Sequence, residues 1–322
     1  MSVLILAESS ENKIKKIAFE AVSYGKQLAE KLGTCTTVLA INANDVSDLA
    51  RYGADKVLKV NNDKLKTFNA KAYADVITQA AKQENAKVVI IDSSHNGLYV
   101  APLAAAALKA GYASNVVALP EKTNPITVKR TAFTNKAFNF TEITTDTAIL
   151  GLAKNAFGLK EQTGKGEVVE FSPQLNDDDF SIKSESIDEA KGQITIADAD
   201  IVVSGGRGLK SPENWGMIEE LAGVLGAATA CSKPVSDMGW RPHSEHVGQT
   251  GKPVTSNLYI AIGISGAIQH LAGVNASKVK VVINNDPDAP FFKAADYGIV
   301  GDAFEVVPKL IEKLKEFKAQ NA

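Results

Sequence analysis

Cysteine is scarce in this chain. Cys35 and Cys231 are the two present, they lie far apart, and neither belongs to a pair with metal-ligand spacing. A disulfide framework or a thiolate zinc site is therefore not expected, and a reducing compartment fits best. Histidine is scarce too. His95, His243, His246 and His270 are scattered, and the one close pair, His243 and His246, stands among Pro, Ser and Glu and reads as polar loop rather than metal centre. No apolar run approaches the roughly 20 residues that cross a bilayer, so no direct membrane insertion is expected. An excess of one charge is also missing. The 35 basic side chains face 37 acidic ones, for a net charge of −2. Without a basic stripe, no nucleic-acid partner is expected. Val3-Leu4-Ile5-Leu6 is too short for a signal-peptide core and follows no basic region. The lack of a transit peptide fits a bacterial cytoplasmic protein, or a mature protein of the mitochondrial matrix.

The remaining composition is that of a globular protein, with 45% hydrophobic and 22% charged residues in 322. Single cores stop growing near about 250–300 residues, so two domains are expected. The fold class expected is α/β throughout. Val3 to Leu6, Thr36 to Ile41, Val57 to Val60 and Val88 to Ile91 read as strands. Lys13 to Leu32 and Asn69 to Gln83 have helical spacing of apolar residues, and the Ala/Leu-rich Tyr99 to Ala110 continues the alternation. That order predicts an N-terminal parallel sheet with helices on its faces. Thr127 to Ala132, Ala137 to Ile143 and Thr147 to Leu152 follow with no helix between them and read as an antiparallel extension. The polar stretch Ser172 to Gly192 suits a linker, which divides the chain into domains 1–188 and 193–322.

After the linker the alternation restarts. Ile201 to Ser204 is a strand, Ser211 and Pro212 suit the start of a helix running to Leu225, and Gly226 suits its end. Leu258 to Ile262, Val279 to Ile283 and Gly298 to Val300 are further strands, and Phe304 to Phe317 a terminal helix. Four loops, three of them glycine-bearing, lie close to strand ends, where open parallel sheets bind ligands. They are Ser204 to Gly208, Cys231 to Asp237, His246 to Lys252 and Gly263 to His270. Glycines let backbone approach a ligand, and free amides at a helix start attract phosphate. The spacing does not match the dinucleotide fingerprint. The first loop reads equally well as a tight turn with a solvated Arg207, Lys233 as a surface cation, and His270 as a satisfied helix histidine. Asn284-Asn285-Asp286-Pro287 and Asp296 to Asp302 add short polar groups at two more strand ends. In the first domain, Asp92 to Gly97 reads as an ordinary polar loop or a subunit contact.

Taken in order, these loops resemble the alpha subunit of electron transfer flavoprotein. The resemblance is carried by Gly206-Arg207-Gly208 with Ser211, by Val247 to Lys252, and by the run Leu258 to Gly273, which ends Gln269-His270-Leu271-Ala272-Gly273. Ile283-Asn284 with Asp286-Pro287 and Ala295 to Val300 complete it. It covers nearly all of residues 200–322, and more loosely 1–185, where strand and helix order and Gly53-Ala54-Asp55 agree.

The resemblance implies a C-terminal Rossmann-like domain that binds FAD, and a heterodimer with the electron transfer flavoprotein beta subunit. It implies an electron carrier without substrate turnover of its own. Acyl-CoA dehydrogenases and similar donors would feed it, an electron transfer flavoprotein-quinone oxidoreductase would accept from it, and an anionic flavin semiquinone would serve between them. It places Thr250 near the flavin N5 and His270 near the O2 and N1 edge. Gln249, Ser265, Gly266, Ala267, Ile268 and Gln269 would serve the ribityl and phosphate parts, with Val247 and Gly248 alongside. Asn284, Asp302 and Ala303 fall to the adenosine end, and Arg207 and Ser232 also match contact positions. Lys233 stands where the family usually has arginine, which keeps the charge but loses the planar fork. Other readings are an NAD-linked dehydrogenase, a nucleotide sensor built on the first domain, and a flavin-bifurcating carrier.

Overall fold

The computed structural model describes residues 2–133, 135–185, 195–196 and 199–321, and the chain divides into two compact units. The expected junction between 188 and 193 lies outside the described residues.

In the first unit the strands are β1 (Ser2–Ala7), β2 (Cys35–Ile41), β3 (Lys56–Val60), β4 (Ala86–Asp92), β5 (Gly111–Val116), β6 (Ile126–Ala132), β7 (Ala137–Ile143), β8 (Ala148–Leu152) and β9 (Glu167–Glu170). The helices are α1 (Lys16–Lys31), α2 (Ala70–Gln83) and α3 (His95–Leu108). The sheet runs β7-β6-β5-β8-β4-β1-β2-β3-β9, parallel except for β6 and β7. Successive residues of its central strands feed opposite faces, as the two-residue period requires. Val3, Ile5, Val38 and Ile90 pack with Ala18, Val22 and Leu28 of α1. Leu4, Leu6, Leu39 and Ile91 pack with Val76 and Ile77 of α2 and Val100 of α3. Covering both faces is why these strands are apolar without alternation. Each fully buried Val, Ile or Leu contributes about 1.5–3 kcal/mol.

Local chemistry sets the helix starts. The Asn69 side chain accepts from the Lys71 and Ala72 amides ahead of α2, and Ser94 accepts from the Gly97 amide ahead of α3. Glu20 of α1 is buried, and its carboxylate accepts from the amides of Asn155, Phe157 and Gly158, each at 2.8 Å. One side chain thus anchors the loop after β8 with charge-assisted bonds.

Two expectations need correction. The segment Thr147 to Leu152 is not part of the antiparallel extension. β8 inserts between β4 and β5 and pairs with both in parallel, with all five residues buried. Its unbroken apolar run suits the doubly covered centre of a sheet, whereas β7 is largely exposed. The linker is also shorter than expected. Gln174 exchanges two hydrogen bonds with Gln79 of α2, and Lys71 reaches the Asp178 carbonyl and the Asp179 carboxylate. Residues 172–182 therefore belong to the first unit, and 186–192 lie outside the described residues.

The second unit holds β10 (Ile201–Gly205), α4 (Gly216–Leu225), β11 (Ala228–Cys231), α5 (Lys233–Asp237), β12 (Leu258–Ile262), α6 (Ile268–Val274), β13 (Val279–Asn284), β14 (Tyr297–Val300) and α7 (Ala303–Gln320). All five strands are parallel in the order β11-β10-β12-β13-β14. Val203, Ile260 and Ile283 pack against Ile218 and Leu221 of α4 and Val307 and Ile311 of α7. Val202, Tyr259 and Val282 face the other side, with Val274 of α6 and Phe291. The first turn ahead of α4, Pro212–Trp215, is a tighter 3-10 turn, and the Ser211 side chain makes no capping bond.

Gly226 ends α4 in the left-handed region at φ +65°, and the Ala227 amide donates back to the Ala222 carbonyl. A side chain there is strained, so Gly226→Ala is expected to cost about 1–2 kcal/mol. Gly223, in open space within the same helix, should respond oppositely, with Gly223→Ala gaining about 0.5–1 kcal/mol. Urea unfolding of the two variants checks the sign difference.

Candidate functional site

Relative to its own first strand, the second sheet has the order 2-1-3-4-5. The chain leaves β10 for β11 on one side and then returns to β12 on the other. The switch point falls at the carboxyl ends of β10 and β12, the position where such sheets bind ligands. The loops leaving these two strands touch. The Gly206 amide donates to the Ile262 carbonyl (2.8 Å) and the Gly208 amide to the Gly263 carbonyl (3.0 Å). A Cβ on Gly206 would stand 2.1 Å from the Gly263 carbonyl oxygen. Glycine is required here by close approach.

The other loops are tied to this pair through backbone. The Ser232 amide donates to the Gly205 carbonyl (3.1 Å), and Val247 to Cys231 (3.0 Å). Gln249 donates to Gln269 (2.7 Å), and Gly301 to Asn284 (3.0 Å). All sixteen residues implied by the resemblance therefore lie along one carboxyl edge of one sheet. Ser232, Val247, Gly248, Gly266, His270, Asn284 and Ala303 are buried, and Asp302 is half-buried. Arg207, Lys233, Gln249, Thr250, Ser265, Ala267, Ile268 and Gln269 are exposed. The segment 264–267, between β12 and α6, joins neither the strand ladder nor the helix. Its amides are the kind of donors an anionic group uses.

Several side chains are already engaged. Asn284 donates through Nδ2 to the Ile264 carbonyl (3.1 Å) and accepts at Oδ1 from the Asp286 amide (3.0 Å). Asp302 caps α7 by accepting from the Phe304 amide, and Lys210 stands 3.9 Å from it. Lys233 pairs with Asp237 at 3.0 Å, one helical turn on. Both partners of that pair are more than half exposed, so it holds the lysine only weakly. Arg207 is free of any ion pair among the described residues.

The buried centre of the site is an imidazole. His270 is 6% exposed, its Nε2 lies 2.9 Å from the Tyr259 hydroxyl, and its Nδ1 is buried with no hydrogen-bond partner among the described residues. Burial pushes its pKa down to about 4; the nearby Val247 carbonyl works against that shift, and neighbouring His246 adds to it. Burial raises the Tyr259 phenol far above its usual range. At neutral pH both groups are uncharged. A Tyr259 hydroxyl that donates to Nε2 leaves the proton on Nδ1, which faces the Val247 carbonyl without closing a well-aligned hydrogen bond to it. Tyr259 stacks on Phe291 (centroids 6.3 Å apart, planes within 3°).

Tyr259 and His246 are missing from the sequence-based set. Tyr259 was readable from the strand alternation, which turns it toward α6. His246 was not, because its neighbours suggest a solvated loop whereas it is 1% exposed. Among the described residues no group of three or more His, Cys, Asp or Glu could hold a metal ion, and no helix is long and apolar enough to cross a membrane.

Comparison with known proteins points to one family. A family model described as "Electron transfer flavoprotein domain" matches residues 3–176, and "Electron transfer flavoprotein FAD-binding domain" matches residues 195–275. Electron transfer flavoprotein subunit alpha of Thermoanaerobacterium thermosaccharolyticum is 38% identical over 98% of both chains. The subunit of the same name from Bacillus subtilis is 37% identical over 98% of this chain and 97% of its own. "Acryloyl-CoA reductase electron transfer subunit beta" of Anaerotignum propionicum is 31% identical over 98% of this chain and 96% of its own.

Proposed function

Because this chain belongs to the electron transfer flavoprotein alpha-subunit family, we propose that it is an electron carrier that holds FAD along the carboxyl edge of its second sheet. It has no substrate turnover of its own. Residues 193–322 form the FAD domain, and 1–188 scaffold it and pair with a beta subunit. Donors are acyl-CoA dehydrogenases and similar flavoenzymes, a class in keeping with the CoA-linked name of the Anaerotignum relative. The acceptor is a membrane-bound electron transfer flavoprotein-quinone oxidoreductase, to which electrons pass singly. The setting is a bacterial cytoplasm or a mitochondrial matrix.

The observation that carries this reading is the buried His270, whose Nδ1 closes no well-aligned hydrogen bond, beside a cradle of touching glycine loops. An unpartnered buried nitrogen is costly unless a ligand completes it. FAD, when bound, supplies the redox chemistry, and the protein supplies binding, orientation and electrostatics. Thr250 and Gln249 present side chains from an exposed turn. The amides of Ser265 to Ile268 receive the phosphates, with Arg207 as a mobile cation. His270 would offer its Nδ1 hydrogen to the pyrimidine edge of the flavin. Asn284 holds the adenosine end through the loop it braces, since both ends of its side chain are engaged. Lys233 must leave Asp237 to approach the ring.

Co-expression with a beta subunit tests the proposal. The expected result is a yellow heterodimer with FAD bound to this chain and reducible by an acyl-CoA dehydrogenase with its substrate. A heterodimer that carries no flavin after reconstitution with FAD would overturn the reading.

A further inference from the structure

We infer that His246 is a positioning residue of the FAD site: its buried imidazole props the Gly248–Gly251 turn that presents Gln249 and Thr250. This rests on the FAD reading above. The ring lies directly against the turn. A Cβ on Gly248, where φ is +153°, would stand 3.4 Å from His246 Nε2. A Cβ on Gly251 would stand 2.9 Å from its Cγ and 2.4 Å from its carbonyl oxygen. That same carbonyl accepts the Lys252 amide (2.8 Å) and closes the turn. The turn backbone therefore rests on imidazole and carbonyl together, and the two glycines are what let it come so close.

The ring is also isolated. Its Nδ1 is buried and has no hydrogen-bond partner among the described residues. The titratable groups that face it are His243, at 5.1 Å between ring centroids, Lys233 and Asp237 on α5, and His270 on α6. Burial first, then His243 and Lys233, push its pKa below the usual histidine value, with Asp237 opposing. A neutral imidazole supports the turn. A proton on it would place an ill-compensated charge beneath Gly248 and beside His270, which the site can relieve by lifting the turn.

The test uses the heterodimer of wild type, His246→Ala and His246→Gln. Hydrogen exchange of the peptide covering 246–254, measured without FAD, reads the turn alone. His246→Ala should exchange about tenfold faster there and unchanged in β10 to β13, while His246→Gln, a neutral planar group, stays within about threefold of wild type. FAD affinity reads the consequence. At pH 7.5 His246→Ala should bind about tenfold more weakly, with His246→Gln near wild type. Between pH 7.5 and 5.5 wild type should lose up to several-fold in affinity, less than the roughly tenfold an unshifted histidine would give, and His246→Gln should lose clearly less. Unchanged exchange in His246→Ala, exchange that changes without any loss of affinity, or a His246→Gln pH profile that tracks wild type would each overturn the inference. A wild-type heterodimer that takes up no FAD would instead sink the functional reading, and the exchange result would still decide whether His246 holds the turn.

Discussion

Replacing Gly206 with alanine is expected to weaken FAD binding by at least about a hundredfold, close to 3 kcal/mol. The reason is geometric. The new methyl would stand 2.1 Å from the Gly263 carbonyl oxygen and 2.6 Å from its carbon, and both are backbone atoms that no rotamer change moves. Gly206 cannot retreat, because its own amide is bound to the Ile262 carbonyl. Gly263 cannot yield cheaply either. It sits at φ +62° with its amide on the Ile283 carbonyl, and Gly208 packs on its other side. The clash must be relieved by parting the loops after β10 and β12, which moves the amides of 264–267. Overpacking a tight core contact alone costs about 1–3 kcal/mol, and here the strain falls on the backbone that would line the cofactor. Ser211→Ala is the control, since the Ser211 side chain makes no capping bond and its loss should stay within about 0.5 kcal/mol. FAD per heterodimer after gel filtration, with urea unfolding alongside, measures both variants. Full FAD retention in Gly206→Ala would mean that the two loops do not jointly form the cradle.

The glycine loops were legible in the sequence because their signal is local: a strand, then glycines, then a helix start. The same holds for Gly226 at the end of α4 and for the β-branched runs of both sheets, whereas Ser211 and Pro212 open a 3-10 turn and α4 itself starts at Gly216. What escaped depended on burial or on long-range pairing. Ala148 to Leu152 follows two strands with no helix between, and chain order alone suggests a meander; its place between β4 and β5 is set by partners more than 30 residues away. Ser172 to Phe180 looks like linker by composition, yet the Gln174 backbone bonds to the Gln79 side chain and the Asp179 carboxylate to Lys71, both on α2. At the site, His246 matters through isolation from solvent, which a histidine in polar company does not reveal, whereas Tyr259 could be read from its strand. Two further departures could have been read locally. Lys233 and Asp237 have the i,i+4 spacing of a helical ion pair, and Asn284 followed by Asp286 has the form of an Asx turn.

Asp92 supplies the second large effect, in the first unit. It ends β4, where its carboxyl is buried beside Glu8 at the end of β1. Asp92 Oδ2 and Glu8 Oε2 are both buried without a hydrogen-bond partner among the described residues. Burial, then the charge of Glu8, raise the Asp92 pKa to about 6, against the Ser94 hydrogen bonds and Lys15, which lower it. Its unfolded value is 3.8. The folded state therefore holds more protons than the unfolded chain between about pH 4 and 6, and stability falls as pH rises through that window. A difference of about two units corresponds to about 3 kcal/mol of penalty, fully present above pH 6 and absent below about pH 4. Asp92→Asn should remove it. The amide oxygen can still accept from the Ser94 amide, now at 2.9 Å from Oδ1, and Glu8 keeps Lys15 and Asn96. The variant is expected to be more stable than wild type by about 2–3 kcal/mol at pH 7.5, with the gain shrinking to near zero by pH 4. Urea unfolding of both proteins across that range checks the sign and the slope. A gain that stays constant with pH would point to packing, and a loss of stability at pH 7.5 would mean that the ionised carboxylate is compensated by groups other than those named.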